Sequence, residues 1–91
     1  MTLLETLYKH LRYNDLTANA EHFSKHYLNK SRSWYAVQTH EGRDFSASAA
    51  FNCLTSINEK LKEDTIGKKQ KILLEKLGTK LIEYLKFKLQ K

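Results

Sequence analysis

The sequence predicts an all-α fold: a compact helical domain of four short helices with a central helix-turn-helix, followed by a C-terminal amphipathic helix. The 91 residues include no proline and only three glycines, and Lys, Leu, Glu and Ala are prominent, a composition that favours helix. Apolar residues recur at three- and four-residue steps, as on the buried face of a helix, and capping residues precede several of these segments. We therefore expect a helix-turn-helix domain over residues 1–63 and an appended helix over residues 64–91.

The first predicted helix begins at a capping box. The hydroxyl of Thr2 and the carboxylate of Glu5 can each accept a hydrogen bond from the other residue's backbone amide. The apolar residues that follow at helical spacing are Leu3, Leu4, Leu7, Tyr8 and Leu11. The helix is expected to end near Tyr13, before Asn14 and Asp15.

The next two predicted helices are short and are joined by a polar turn. The first is expected over residues 18–28, capped by Thr17, and the second over residues 32–40. Asn29 suits the left-handed position that ends a helix, and Ser31 is a good N-cap for the helix that follows. Two short helices around a turn of three or four residues form the helix-turn-helix arrangement.

The second helix of such a pair can enter the major groove of DNA, and its residues fit that role. Arg32 can pair with guanine, and Ser33 can donate or accept a hydrogen bond at a base edge, with Trp34 or Ala36 beside them. The other polar and basic residues around the turn are expected to hold phosphates. The predicted DNA-contacting residues are Thr17, Asn19, Lys30, Ser31, Arg32, Ser33, Trp34, Ala36 and Arg43.

Three short elements follow one another in this part of the chain: Ser-Arg-Ser at 31–33, Glu-Gly-Arg at 41–43, and Ser46 opening an amphipathic helix that contains Leu54. Their order resembles the helix-turn-helix domains of the phage-repressor/Cro type, in which the first element starts the recognition helix. Residues 27–35 also resemble a version of the turn, F-L-G-R-S-x-S-Y-Y, found in small bacterial proteins. The resemblance covers about residues 3–61 and implies a DNA-binding transcriptional regulator.

Two adjacent aromatic residues on the predicted recognition helix cannot both face the core. The resemblance favours Tyr35 inward and Trp34 at the edge. The alternative turns Trp34 inward together with Val37. The choice determines which residues of the helix face DNA.

The fourth predicted helix is a core helix that begins at the N-cap Ser46 and runs to about Lys62. Its apolar residues recur at three- and four-residue steps: Ala47, Ala50, Phe51, Leu54, Ile57 and Leu61. Cys53 is the single cysteine of the chain and has no internal disulfide partner. Because it lies among small apolar residues, we expect it to be a buried core residue rather than a nucleophile.

A break is expected near residues 64–67, and an amphipathic helix is expected over residues 68–90. Gly78 interrupts its apolar stripe at a cost of about 1 kcal/mol relative to Ala. The near-heptad spacing of the stripe favours dimerisation of two copies through Leu74, Leu77, Leu81 and Leu85. Packing on its own domain, contact of its lysines with DNA phosphates, and binding to an anionic membrane surface are the alternatives.

The net charge of +6 is unevenly distributed along the chain. Residues 1–63 carry eight Lys or Arg and seven Asp or Glu, a net of +1, whereas residues 64–91 carry eight Lys and three acids, a net of +5. The basic excess therefore does not lie on the helix-turn-helix, which weakens the argument from charge to DNA binding.

Several classes of protein are disfavoured by what the sequence lacks. It contains no Gly-rich phosphate loop, no metal-ligand cluster and no catalytic set at a supporting spacing, so we expect no enzyme, no cofactor and no small-molecule substrate. His22 and His26 stand four residues apart and could share a metal ion, but no third ligand is evident. No segment reads as a signal peptide or a bilayer-spanning helix, and we expect a cytoplasmic bacterial protein.

Two functions from different classes follow from these observations. The first is a small repressor-like regulator, a homodimer that binds double-stranded DNA. The second is a helical module for protein–protein interaction, such as an adaptor, an antitoxin-like partner or an inhibitor, in which Trp34 and Tyr35 anchor the interface. The two differ in their response to salt, because phosphate contacts weaken steeply as salt rises.

Overall fold

A computed structural model of the chain describes residues 1–90, and these residues form five helical elements and no strand. The predicted all-α class is confirmed. The second element joins an α-helical segment, Ala20–His22, to a π-helical turn, Phe23–Tyr27, and we treat the two as one helix, α2. The other elements are α1 (Leu3–Tyr13), α3 (Trp34–His40), α4 (Ala47–Leu61) and α5 (Lys68–Leu89).

One hydrophobic core joins α1, α2, α4 and α5, and α3 lies on its surface. The buried side chains are Leu4, Leu7, Leu11, Leu16, Phe23, Tyr27, Leu28, Phe45, Ala49, Ala50, Cys53, Ile57, Leu74, Leu77 and Leu81. No residue of α3 is fully buried. Burial also raises the pKa of the Cys53 thiol, which agrees with the predicted role of this cysteine as a core residue.

The predicted capping box of α1 is confirmed, and a second carboxylate reinforces it. Thr2 and Glu5 bond reciprocally, and the hydrogen bond from the Thr2 amide is the main reason that the pKa of Glu5 is lowered. Asp44, which precedes α4, accepts hydrogen bonds from the amides of Leu3 at 3.1 Å and Leu4 at 2.9 Å. A carboxylate at a helix N-terminus also interacts favourably with the helix dipole. Asp44 therefore ties the start of α1 to the start of α4.

The predicted start of α2 was wrong. Thr17 does not cap the helix. The N-cap is Asn19, whose side-chain oxygen accepts a hydrogen bond from the His22 amide at 2.9 Å. Leu16 and Thr17 are both buried, and the helix begins two residues later than the predicted cap indicates.

The end of α2 is a wide turn rather than a simple helix end. The amide of Leu28 donates to the carbonyl of Phe23, five residues earlier, at 3.2 Å, which is the π-helical pattern. Asn29 then takes the predicted left-handed conformation, with φ of +54°. The amide of Lys30 closes the turn on the carbonyl of Ser24 at 2.9 Å.

The predicted start of α3 was also wrong. Ser31 does not cap the helix, which begins at Trp34 after an N-cap, Ser33, that makes no side-chain capping bond. The amide of Trp34 donates to the carbonyl of Ser31 at 3.1 Å, so residues 31–33 form a turn. The predicted end is confirmed, because Gly42 follows the helix with φ of +70°.

The predicted N-cap of α4 is confirmed, but one residue of its predicted core face is exposed. Ser46 accepts a hydrogen bond from the amide of Ala49 at 3.2 Å, and Ile57 is buried as expected. Phe51, by contrast, is 61% exposed. Cys53 is buried as expected, and Ala49, which was outside the predicted core face, is buried as well.

The predicted dimer stripe of α5 is instead part of the core. Leu74, Leu77 and Leu81 are at most 2% exposed within a single chain, and Leu85 is half-buried against the same core. The rest of the domain therefore already covers, within one chain, the stripe that was predicted to form a dimer interface. Of the alternatives, packing of α5 on its own domain agrees with the structure.

Candidate functional site

The surface around α3 brings together most of the residues predicted to contact DNA. On α3 itself, Tyr35 faces inward, with its ring centroid 4.7 Å from that of Tyr8 and 5.6 Å from that of Phe23. Burial is the main reason that the pKa of Tyr35 is raised to about 12. Trp34 is also half-buried but borders a surface cleft shared with Gln38 and Arg43. Of the two registers, the one with Tyr35 inward agrees with the structure.

The angle between α2 and α3 depends on a buried hydroxyl. Ser24 is fully buried in the wide turn of α2, and its side-chain oxygen accepts a hydrogen bond from the amide of Tyr35 at 3.0 Å. It therefore performs the capping role that neither Ser31 nor Ser33 performs, but from a different helix. Free amides in the first turn of a helix need such acceptors, so this bond fixes the start of α3 relative to α2.

The outward side of α3 and the turn before it form an exposed strip, which we call the α3 strip. It consists of Ser31, Arg32, Ser33, Ala36 and Val37, all exposed. Within the described residues, the guanidinium of Arg32 makes no ion pair or hydrogen bond. Val37, 50% exposed, was missing from the prediction. Helical spacing could have placed it there, since an inward Tyr35 turns Ala36 and Val37 outward.

Two basic residues flank the α3 strip, and each already has a partner. Lys30 donates a hydrogen bond to the hydroxyl of Ser48 at 3.0 Å, and its ammonium lies 6.0 Å from the centroid of the Trp34 ring. Nη1 of Arg43 lies 3.5 Å from a carboxylate oxygen of Glu41, and 67% of the Arg43 side chain is exposed. Exposed pairs of this kind contribute little to stability, so both residues can exchange these partners for a phosphate.

Thr17 and Asn19 were both predicted to contact DNA, but their side chains differ in exposure. Thr17 is only 3% exposed, and its hydroxyl oxygen lies 2.7 Å from Nδ1 of His22. Its buried side chain is therefore not presented to a phosphate. Asn19 is exposed, but its side-chain oxygen is occupied by the cap of α2, which leaves its amide nitrogen for any contact with DNA.

The two histidines on α2 stack on each other rather than diverging. The ring centroids of His22 and His26 lie 4.4 Å apart. Partial burial lowers the pKa of His22, and the neighbouring His26 and Lys60 lower it further. Among the described residues, no three His, Cys, Asp or Glu side chains come together as metal ligands would.

None of the helices in residues 1–90 combines the length and the apolar character that crossing a bilayer requires.

Comparisons with curated proteins and with solved structures found no match. A family model does match the chain, over residues 4–86, which include all five helices apart from the ends of α1 and α5. The chain therefore belongs to DUF6626, a family of unknown function.

Proposed function

We propose that this protein is a small DNA-binding transcriptional regulator of the repressor-like helix-turn-helix type that acts in the cytoplasm. The observation that carries the proposal is the α3 strip: a short surface helix with small side chains at Ala36 and Val37, preceded by a turn in which Arg32 makes no ion pair or hydrogen bond with any of residues 1–90. Small residues allow a helix to approach base edges closely, and arginine is the commonest reader of guanine in the major groove.

The support for α3 is of the kind that DNA recognition requires. A recognition helix must be held at a fixed angle, so that its first residues reach base edges while its neighbours contact the backbone. The bond between Ser24 and Tyr35 supplies this constraint at the start of α3. Aromatic packing of Tyr35 on Tyr8 and Phe23 supplies a second constraint.

Each residue of the site takes a distinct role in this proposal. Arg32 and Ser33 read bases, helped by Ala36 and Val37, which can contact a thymine methyl group. Lys30, Ser31 and Arg43 hold phosphates on either side of the helix.

The test is a salt titration of binding to random-sequence duplex DNA, followed by fluorescence anisotropy. We expect binding in the micromolar range that weakens steeply with salt. Lys30→Ala, which removes a phosphate contact, should weaken binding to all sequences alike and reduce the slope of log affinity against log salt by about one. Once an operator is selected from a random pool, Arg32→Ala, which removes a base contact, should lose about 1–3 kcal/mol of specific binding.

Lys76→Ala is the matched control, because it removes one positive charge from an exposed position of α5. If Lys76→Ala weakens DNA binding as much as Lys30→Ala does, the lysines of α5 rather than the α3 strip contact DNA. Absence of binding at low salt would contradict the proposal.

A second function, a protein–protein interaction module, is favoured by two observations. Residues 1–63 have a net charge of only +1, and the half-buried Trp34 lies next to the α3 strip with its exposed Val37. An interface anchored on these apolar side chains would persist at salt concentrations that abolish phosphate contacts. The salt titration therefore separates the two functions.

A further inference from the structure

From Ile72 onward, the outer side of α5 carries a row of six exposed residues that the core does not use. They are Ile72, Glu75, Thr79, Ile82, Lys86 and Leu89. Successive members are three or four residues apart, so they form one line along the helix. Ile72 is 48% exposed, Ile82 is 43% exposed and Leu89 is 72% exposed. We call this line the outer row of α5, and it lies on a different side of the helix from the buried leucines.

The residue numbers of the outer row are symmetric about the midpoint between Lys80 and Leu81. Each member has a counterpart that lies the same number of residues away on the other side of this midpoint. Ile72 corresponds to Leu89, an apolar pair at the two ends. Glu75 corresponds to Lys86, and Thr79 corresponds to Ile82. A second α5 packed antiparallel around this point would therefore place Ile72 opposite Leu89, Glu75 opposite Lys86, and Thr79 opposite Ile82.

A large, exposed apolar side chain of α4 lies level with the middle of the outer row along the helix axis. A Cβ built at Gly78 lies 3.8 Å from Leu54 of α4, while the ring of Phe45, before α4, packs against Tyr84. The two helices therefore run antiparallel. Phe51, 61% exposed, comes three residues before Leu54 and so lies level with the stretch of α5 that contains Ile82.

We propose that the outer row of α5, together with Phe51, is the surface on which a second copy of this chain packs. The two α5 helices cross antiparallel about a twofold axis between residues 80 and 81, so that the contact is the same from both sides. Each Glu75 then meets Lys86 of the other copy. The buried leucine stripe stays in its own core, and the α3 strip takes no part in the contact.

The size of the surface sets the expected strength of the pairing. The outer row spans 17 residue steps, or about 25 Å of helix. One helix and one aromatic side chain per copy make a smaller contact than the ~800 Å² per partner of a stable interface. We therefore expect a reversible dimer that forms at micromolar to submillimolar concentration.

The test is sedimentation equilibrium of the full chain, without DNA, over a range of concentrations. Ile82→Gln should weaken association by roughly tenfold or more, because the loss of apolar contact occurs twice in a symmetric pair. Phe87→Gln is the matched control: Phe87 is 70% exposed on the same helix but lies outside the outer row, and its replacement should leave association unchanged.

A charge exchange at the surface adds a second, sharper test. Glu75→Lys and Lys86→Glu, each alone, place like charges opposite each other in a homodimer and should weaken it by several-fold. Mixed in equal amounts, the two variants should form a heterodimer, because every lysine then meets a glutamate. Both positions are exposed, so folding is not at risk.

A chain that stays monomeric up to millimolar concentration overturns the inference. So does a dimer whose association constant is unchanged by both Ile82→Gln and the charge exchange. Neither result bears on whether the α3 strip binds DNA, because the measurement contains no nucleic acid.

Discussion

Ser24 shows how a single buried hydroxyl can determine the geometry of a site whose other residues are exposed. Its side chain is fully buried, its carbonyl accepts the amide of Lys30, and its hydroxyl accepts the amide of Tyr35. The wide π-helical turn is what directs this hydroxyl toward α3 rather than along α2. Sequence patterns treat such a serine as a neutral helix residue, because they contain no information on which amide lies opposite.

We expect Ser24→Ala to lower the free energy of unfolding by about 1–2 kcal/mol, because it leaves a partly buried amide without its acceptor. Urea unfolding followed by circular dichroism measures the change. Hydrogen exchange of the Tyr35 amide should become faster in the variant.

Ser33→Ala is the control for this prediction. Ser33 is exposed and makes no side-chain capping bond, so its replacement should change stability by no more than about 0.5 kcal/mol. An equal effect of the two substitutions would show that the Ser24 hydroxyl does not support α3.

At the scale of the elements, α5 accommodates a glycine that the fold does not need. Gly78 lies in the middle of this 22-residue helix, with no positive φ. A Cβ at this position would lie 3.8 Å from Leu54 and 3.9 Å from Ile57, both ordinary van der Waals distances. The space between α4 and α5 therefore already fits a methyl group.

We expect Gly78→Ala to raise the free energy of unfolding by about 0.5–1 kcal/mol. Alanine restricts the unfolded chain more than glycine does, and it has the higher helix propensity. Thermal and urea unfolding of the variant measure the gain.

Gly42→Ala should have the opposite effect. Gly42 has φ of +70° with open space around it, so the loss comes from the backbone conformation and amounts to about 1 kcal/mol. A destabilising Gly78→Ala would mean that α4 and α5 pack more tightly than these distances indicate.

At the scale of the whole molecule, two tyrosines with raised pKa values make the free energy of unfolding depend on pH in the alkaline range. Tyr27 donates a hydrogen bond to the carbonyl of Leu16 at 2.7 Å, and burial raises its pKa from 10.0 to about 12. The pKa of Tyr35 is raised from 10.0 to about 12 as well, again mainly by burial. In both cases the folded chain retains a proton that the unfolded chain releases.

The stability that these two protons provide is fully present below pH 10 and is lost as the pH rises from about 10 to 12. Urea unfolding at a series of pH values should show this decline. In Tyr27→Phe and Tyr35→Phe the decline should be shallower than in the parent protein, because neither phenylalanine can ionise. Equal slopes in all three proteins would mean that these hydroxyls titrate alike in the folded and unfolded states.

The sequence by itself determined the class of the fold and the ends of most helices. The signals involved are local: the capping box at Thr2, the left-handed residue Asn29, the glycine after α3 and the N-cap Ser46 each act through atoms a few residues away. Apolar periodicity likewise identified α1 and, on α4, the buried residues Ala50 and Ile57, since burial follows from helical spacing.

Only the tertiary structure decided which cap signals are used and which apolar stripe is buried. Thr17 and Ser31 have good capping side chains, yet Thr17 is buried and Asn19 caps α2 in its place, while an amide in the first turn of α3 bonds to Ser24 of α2. The leucines of α5 fit a dimer seam as well as a core helix, because both require the same spacing. Their burial was settled by how α5 packs against α4, and that packing leaves the outer row and Phe51 exposed.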